Sequence, residues 1–395
     1  MKKTLAAVAV LGAFAGSALA ADVQLYGIVD MGLQYSHVDS DTTADDLDNF
    51  SMDSGIQSTS RWGIKGTEDL GNGLKVGFIL ENGFGADTGA ENEPMFDRES
   101  SLFLEGGFGK LAFGRIGSFN HGQGSWSLIG RITPFGTSFG NYSAQAGNAF
   151  ACATRYDNTI AYQTPSFAGF KVYAMYGMGS NGYENESSSD RYYGIAATYD
   201  NGPASVYFAI DSKNYQTAAG AFADFDEDAD DSMTITLGGS WDFEVVKTYL
   251  GLQYFDETKV GDLGGIADNN ASMNPWVDGD QVPLTATAIQ NMKVTGYSIL
   301  LGVDAPVAGG KLMAAASYMD GEQSDRQEEM RDEFDFSRWI ISVGYDYPLS
   351  KRTNIYAVAS YMNDDIEMNG RAKNAGAADW NPSAYTAMIG LRHKF

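Results

Sequence analysis

Apolar and polar side chains alternate along most of the chain. In VQLYGIVDMGLQY, Leu25 and Leu33 fall on one face of an extended strand, and Asp30 and Gln34 fall on the other. The same period of two recurs in LKVGFILE at 74–81, FKVYAMY at 170–176 and SRWIISVGYDY at 337–347. No comparable stretch keeps the helical period of 3.6. The pattern predicts an all-β protein of about sixteen strands.

The connections between these strands alternate between two sizes. Short turns are predicted at 70–73, 106–109, 164–169, 200–203, near Asp242, 306–310 and 349–353. Long polar connections are predicted at 39–59, 85–97, 118–157, 178–190, 212–231, 257–291, 321–335 and 365–383. This order predicts an antiparallel meander with short turns at one end and long loops at the other.

A meander of this length is expected to close into a barrel, because closure leaves no unpaired strand edge. The chain ends in YTAMIGLRHKF, where Tyr385 and Phe395 lie on the apolar face of a strand. An apolar outer face with aromatic anchors allows a closed barrel to span a bilayer. The alternative is a secreted all-β passenger, such as a sandwich or a β-helix adhesin. That fold needs an apolar core, whereas the second faces here carry Lys, Arg, Asp, Gln and Gly.

The N-terminus has the order of a secretory signal. Residues 1–20 carry two lysines, a short apolar run and a terminal Ala-Leu-Ala, which predicts cleavage before a single domain at 21–395. The apolar run is too short to cross a bilayer as a helix. One cysteine, Cys152, rules out an internal disulfide, and a net charge of -25 makes nucleic acid an unfavourable partner.

Several stretches resemble the general porins of the Gram-negative outer membrane, most closely the neisserial and β-proteobacterial branch. They are VQLYGIVDMGLQY at 23–35, SRWGIKGTEDLGNGLKVGFILENGF at 60–84, GGFGKLAFGRIGS at 106–118, NTIAYQTPSFAGFKVYAMY at 158–176 and the terminal Phe395. The resemblance covers essentially the whole chain. It implies a homotrimer of sixteen-stranded transmembrane antiparallel β-barrels in the cell outer membrane, each an aqueous channel for ions and small hydrophilic solutes. It also implies contact with lipopolysaccharide and with the barrel assembly machinery during biogenesis.

In the family the third long loop folds into the barrel and narrows the channel. Here that loop is residues 118–157, and its interior from Ser118 to Tyr156 contains no Asp or Glu. Enteric relatives place acids in this loop beside a Pro-Glu-Phe-Gly turn, whereas this chain reads RITPFG at 131–136. The departure from the enteric pattern predicts a basic constriction, which raises the local concentration of anions.

The candidate constriction residues are Asp30, Arg61, Lys65, Arg98, Arg115, Arg131 and Arg155. Arg61 and Arg98 match wall positions of the family, and the period of two turns Arg61 and Lys65 inward. The first-strand acid, Asp30, also faces the lumen by alternation. The alternative is that several of these arginines pair with acids of the wall or hold the loop in place.

Most of the acidic residues fall in the predicted outer loops. They include Asp45, Asp46, Asp48, Glu184, Glu186, FADFDEDADD at 222–231, Glu328, Glu329, Asp332 and Glu333. These groups either form a solvated vestibule or share weakly bound divalent cations with lipid phosphates; no other cofactor is expected. The sequence fits no tight calcium loop, because Asp224, Asp226 and Asp228 are followed by Ala229 and Ile235 at the positions that need Gly and Glu.

Two short motifs match enzyme patterns but lack the required context. GTSFG at 136–140 fits a nucleophile elbow, and GMGSNG at 177–182 fits a dinucleotide-binding turn without the following helix. An outer-membrane barrel enzyme would need His121 with one of three serines, which are Ser118, Ser125 and Ser127. A substrate-specific channel of the same architecture is a further alternative.

Overall fold

The computed structural model describes residues 22–39, 41, 46–122, 124–179, 191–214, 231–264, 293–323, 333–369 and 378–395. The predicted signal at 1–20 lies outside these residues. So do Asp45, the acidic runs at 184–186, 222–230 and 328–332, and the Asp224 to Asp228 spacing. No helix in the described ranges has the length and hydropathy needed to cross a membrane.

The described strands form one antiparallel sheet. Its strands are β1 (Asp22–Asp39), β2 (Leu47–Ser54), β3 (Arg61–Gly71), β4 (Leu74–Gly83), β5 (Glu99–Gly106), β6 (Gly109–Gly117), β7 (Arg155–Gln163), β8 (Phe170–Gly177), β9 (Tyr192–Asn201), β10 (Ala204–Lys213), β11 (Ser232–Asp242), β12 (Lys247–Lys259), β13 (Lys293–Val307), β14 (Gly310–Gln323), β15 (Glu333–Pro348), β16 (Thr353–Asn369), β17 (Ala378–Trp380) and β18 (Ser383–Lys394). A four-residue α-helix at Ala146–Ala149 and 3-10 helices at Ile129–Ile132 and Val260–Leu263 lie between strands.

Two of the wall strands are interrupted, so these segments make a closed barrel of sixteen strands, as predicted. Strands β2 and β3 both pair with β1, and residues 55–60 separate them. Strands β17 and β18 both pair with β16. Each neighbour pair is antiparallel, and β1 pairs with β18 to close the ring.

The faces of the barrel are inverted relative to a water-soluble protein. On β15, Trp339, Ile341 and Val343 are exposed, while the alternate residues Arg338, Ile340 and Ser342 are buried. The same exposure of apolar side chains recurs on most strands, as the alternating pattern predicted. Exposed apolar side chains on a closed barrel suit contact with lipid.

The turns predicted from the sequence coincide with the short connections of the structure. The connections from β3 to β4, β5 to β6, β7 to β8, β9 to β10, β11 to β12, β13 to β14 and β15 to β16 are all short. The predicted loop at 39–59 was wrong in part, because β2 occupies 47–54. This polar segment is extended because the long strand β1 supplies partners for its backbone from Met31 to Val38.

Candidate pore constriction

The longest described connection, residues 118–154, contacts strands far around the barrel wall. The backbone N–H of Ala144 donates to Ser342 Oγ at 2.8 Å. Gln253 on β12 accepts from the N–H of Ala151 at 2.7 Å and donates to its carbonyl at 2.9 Å. These wall residues are on the buried face of the barrel. Because the loop is bonded to several distant strands, its position is set along much of its length.

Aromatic and aliphatic packing complements these hydrogen bonds. Phe119 packs edge-on against Tyr173 of β8, with ring centroids 5.8 Å apart. Phe139 packs in the same way against Phe135 and against Tyr356 of β16. Buried aromatic surface of this kind contributes to stability beyond the hydrogen bonds. The loop is therefore a packed part of the barrel.

A cavity of about 510 Å³ lies between the loop and one side of the wall. Its cationic lining residues are Arg61, Arg98, Arg131, Lys311 and Arg392, and its one acidic lining residue is Asp346. Of the predicted constriction residues, Arg61, Arg98 and Arg131 line this cavity. Cations therefore outnumber acids among the residues that line the cavity.

The charged groups of the cavity differ in their partners. Arg392 donates from Nε to Asn354 at 3.0 Å and from one amino group to Ser58 Oγ at 2.9 Å, and both partners are neutral. Asp346 accepts from the side-chain amides of Gln57 and Asn354, each at 2.8 Å. The Asp346 carboxylate is therefore held by amide donors.

All five predicted arginines are paired with acids. Arg98 Nε lies 2.7 Å from Glu81, and Arg61 Nε lies 3.6 Å from the same carboxylate. The other ion pairs are Arg115 with Asp157 at 2.5 Å, Arg131 with Asp200 at 2.7 Å and Arg155 with Asp97 at 3.3 Å. This pairing is the arrangement that the alternative interpretation anticipated, in which wall acids hold the arginines.

Arg115 and Arg155 flank the loop but do not line the cavity, and neither do Asp30 and Lys65. Asp30 is buried and accepts hydrogen bonds from the N–H groups of residues 57 and 58 and from the Tyr356 hydroxyl. It therefore fixes residues 55–60, the break between β2 and β3, against the inner wall. Lys65 is exposed and lies over the ring of Tyr26, 5.0 Å from its centroid.

Lys311 and Arg392 line the cavity but are not among the residues predicted from the sequence. The alternation in YTAMIGLRHKF placed Arg392 on the polar face of the last strand, so that signal was present. Lys311 is the second residue of β14, directly after the turn, where the alternating pattern has only begun. Its position in the cavity depends on how the wall curves.

Ser138 of GTSFG does not have the context of a nucleophile elbow, and residues 180–182 of GMGSNG lie outside the described residues. Ser138 follows a turn rather than a strand. The ring of His121 bonds the carbonyl of Ala153 through Nδ1 at 3.2 Å. Burial, with the nearby charge of Arg155, lowers the pKa of His121 to about 3. No cluster of metal-ligating side chains is found in the part of the chain that the structure describes.

Comparison with known proteins identifies the family. Residues 6–367 match the family model described as Gram-negative porin. An outer membrane porin protein of Bordetella pertussis is 33% identical over 430 residues, which cover 100% of both chains. The chain belongs to the Gram-negative porin family. It is an outer-membrane channel for passive diffusion of ions and small hydrophilic solutes.

Other relatives agree with the predicted branch. Outer membrane porin protein 32 of Delftia acidovorans is 33% identical, and the major outer membrane protein P.IB of Neisseria gonorrhoeae is 26% identical, each covering 100% of both chains. Among solved structures, an anion-selective porin from Comamonas acidovorans has a TM-score of 0.66 and 28% identity. It covers 95% of this chain and 100% of its own.

Proposed function

We propose that residues 118–154 form an inward constriction loop and that the channel favours small anions. The observation that carries this proposal is the cavity beside the loop, which is lined by five cationic side chains and one acid. In a narrow pore with low-dielectric walls, an excess of one charge raises the local concentration of the opposite ion. The similar structure from Comamonas acidovorans is that of an anion-selective porin, which supports the same direction.

Arg392 contributes more to this selectivity than Arg131. The hydrogen-bond partners of Arg392 are neutral, so its charge is offset less than that of Arg131. Arg131 bonds both carboxylate oxygens of Asp200, at 2.7 and 2.9 Å, which offsets its charge. The acidic outer loops act in the opposite direction, but exposed charges are screened within about 8 Å at physiological salt.

The test is the reversal potential of the purified channel in a planar bilayer under a KCl gradient. We expect a chloride-selective sign for the wild type and a clear loss of selectivity for Arg392→Gln. Arg131→Gln is the matched control, since it removes the same charge from the same cavity and should shift the potential less. Clear cation selectivity in the wild type, or equal shifts in the two variants, contradicts the proposal.

The proposed assembly is a homotrimer, inserted with the barrel assembly machinery and surrounded by lipopolysaccharide. The porin relatives support the outer-membrane setting of this proposal. Cross-linking of the native membrane before extraction measures the number of copies. Weak divalent binding at the acidic outer loops is tested by calorimetry with Ca²⁺ on the purified barrel.

We also propose that the barrel acts as a general channel without hydrolytic activity. The buried and hydrogen-bonded ring of His121 supports this proposal. Purified protein should hydrolyse neither phospholipid nor peptide, and conductance should rise linearly with solute concentration. Saturating conductance would instead favour a substrate-specific channel.

A further inference from the structure

A second loop segment, Val260–Gly264 at the start of the connection from β12 to β13, is docked on the constriction loop. Val260 and Leu263 are buried, at 3% and 0% exposure. The carbonyl of Asp262 accepts the backbone N–H of Cys152 at 3.1 Å. The segment therefore contacts the loop at 118–154 as well as the wall.

The contact between the two loops is close at one point. Gly264 has a φ of 62°, and a β-carbon there would lie 2.5 Å from the carbonyl oxygen of Gly147. Gly147 belongs to the short helix of the constriction loop. Glycine is needed at position 264 for two reasons. The backbone there has a left-handed conformation, and the two loop segments approach too closely to leave room for a side chain.

Arg338 ties both loops to the wall. Its guanidinium is 1% exposed and forms a bidentate pair with the buried Asp364, at 2.6 and 2.9 Å. It also donates to three backbone carbonyls, those of Asn148 at 3.3 Å, Leu263 at 2.7 Å and Gly264 at 2.9 Å. One side chain thus connects the constriction loop, the second segment and strands β15 and β16.

We propose that Val260–Gly264 is a second element that narrows the pore, and that Arg338 is the positioning residue that holds it and the constriction loop together. The proposal rests on the inward position of the constriction loop proposed above. Arginine suits this role because its planar fork carries five donors and remains charged, whereas lysine offers a point charge with fewer fixed directions.

The basic cavity and the second segment contact different residues of the barrel wall. Cavity-lining residues of the described wall come from the region of β2 to β5 and from β14, β15 and β18, not from β6 to β13. Along β12 and β13 the inner side instead carries the buried Phe255 and Val294, in one apolar cluster with Val260 and Leu263. The second segment therefore packs on wall residues that do not themselves line the basic cavity.

The first test measures access to the second segment by thiol labelling of the folded channel. Cys152→Ser with Val260→Cys places one nearly isosteric thiol in the segment. We expect slow labelling in this background and labelling roughly tenfold faster after Arg338→Met, because access is governed by local opening. Arg352→Met, at an exposed turn, is the matched control and should leave the labelling rate unchanged.

Arg338→Met removes the bidentate cation from the buried Asp364, whose charge is then poorly compensated, and can prevent folding. Arg338→Met with Asp364→Asn removes that uncompensated charge while still removing the three carbonyl contacts. Heat-modifiable mobility on a denaturing gel confirms a folded barrel for each variant. Unchanged labelling in the folded double variant overturns the proposal.

Single-channel recording supplies a second readout. Folded variants that lack Arg338 should show a larger or fluctuating conductance, while the sign of ion selectivity remains that of the wild type because the basic cavity is intact. A steady conductance equal to that of the wild type in the folded double variant also overturns the proposal that the second segment narrows the pore. Selectivity in the wild type is measured separately, so a failure of the anion proposal is distinguishable from a failure of this one.

Discussion

Gly27 and Phe395 exchange two backbone hydrogen bonds, 3.2 Å from Gly27 N–H to the Phe395 carbonyl and 3.1 Å in the reverse direction. The pair joins the end of the chain to the first strand, next to the ladder between β1 and β18. The ring of Phe395 occupies the space where a side chain at position 27 would lie. The terminal residue therefore takes part in closing the barrel.

Gly27→Ala is expected to weaken this closure. A β-carbon at position 27 would contact the ring of Phe395 and lie 2.5 Å from the carbonyl oxygen of Arg61, which is fixed in the wall. Overpacking of this kind costs about 1–3 kcal/mol. Urea unfolding of the barrel in lipid vesicles measures the loss. Gly107→Ala is the control, because a β-carbon there meets open space, and equal losses for both variants would contradict the explanation.

Asp346→Asn is expected to make the channel more anion-selective. The substitution removes the one acidic side chain from the lining of the cavity while leaving five cationic side chains. The reversal potential in a KCl gradient should shift further toward the chloride value. Glu244→Gln is the control, because it removes the same charge from an exposed turn outside the cavity. A shift of the same size in both variants would show that total charge, not the cavity, sets the selectivity.

The barrel could be predicted because its physical cause is local and repeated. A strand that faces lipid on one side and polar groups on the other must alternate, so each segment such as 337–347 carries the signal by itself. The turns follow from the same pattern. Strand β2 was missed because LDNFSMDS is polar and acidic, and it is extended only because β1 is long enough to pair with it.

The site could be predicted only in part, because a cavity combines residues from distant strands. The alternation with a period of two shows which side chains face inward, and it places Arg61 and Arg392 on that face. The alternation does not show which of the inward-facing cations forms an ion pair with an acidic side chain. Asp30 faces inward, yet it bonds residues 57 and 58 instead of the solution. Arg338 likewise bonds carbonyls of two loops, and the sequence pattern does not predict where those loops lie.

His121→Asn is expected to reduce the loss of stability in acid. The folded-state pKa of about 3 lies below the usual value of 6.5, so the unfolded chain binds a proton between these values and the folded chain does not. The wild type therefore loses stability as the pH falls below 6.5, by about 2 kcal/mol at pH 5 from this group. Asparagine keeps a donor near the Ala153 carbonyl without titrating.

The measurement for His121 is the free energy of unfolding in urea at pH 7 and pH 5. Contributions of the carboxylates are common to wild type and variant and cancel in the difference. His393→Asn, at an exposed position, controls for loss of an imidazole. If the free energy of unfolding falls by the same amount in wild type and His121→Asn between the two pH values, the conclusion that His121 is buried in its neutral form is wrong.

Thiol labelling is expected to separate the face of the constriction loop that lines the pore from the face that packs on the wall. Burial raises the pKa of the Cys152 thiol above its ordinary value, and the thiolate is the reactive form. Cys152 should therefore react slowly with a maleimide at pH 7. Ser138 lines the cavity, so Cys152→Ser with Ser138→Cys should react at least roughly tenfold faster because water reaches that thiol.

Thiol reagents of different size provide a second test of this prediction, through the single-channel current. A small reagent at Ser138→Cys should lower the single-channel current, and a larger one should lower it further, since the label occupies the cavity. Modification of Cys152 should require opening of the loop and depend little on reagent charge. Fast labelling of Cys152 with a matching block of current would mean that the packed face of the loop lines the pore, which would reverse the orientation derived from Ala144, Ala151 and their partners on the wall.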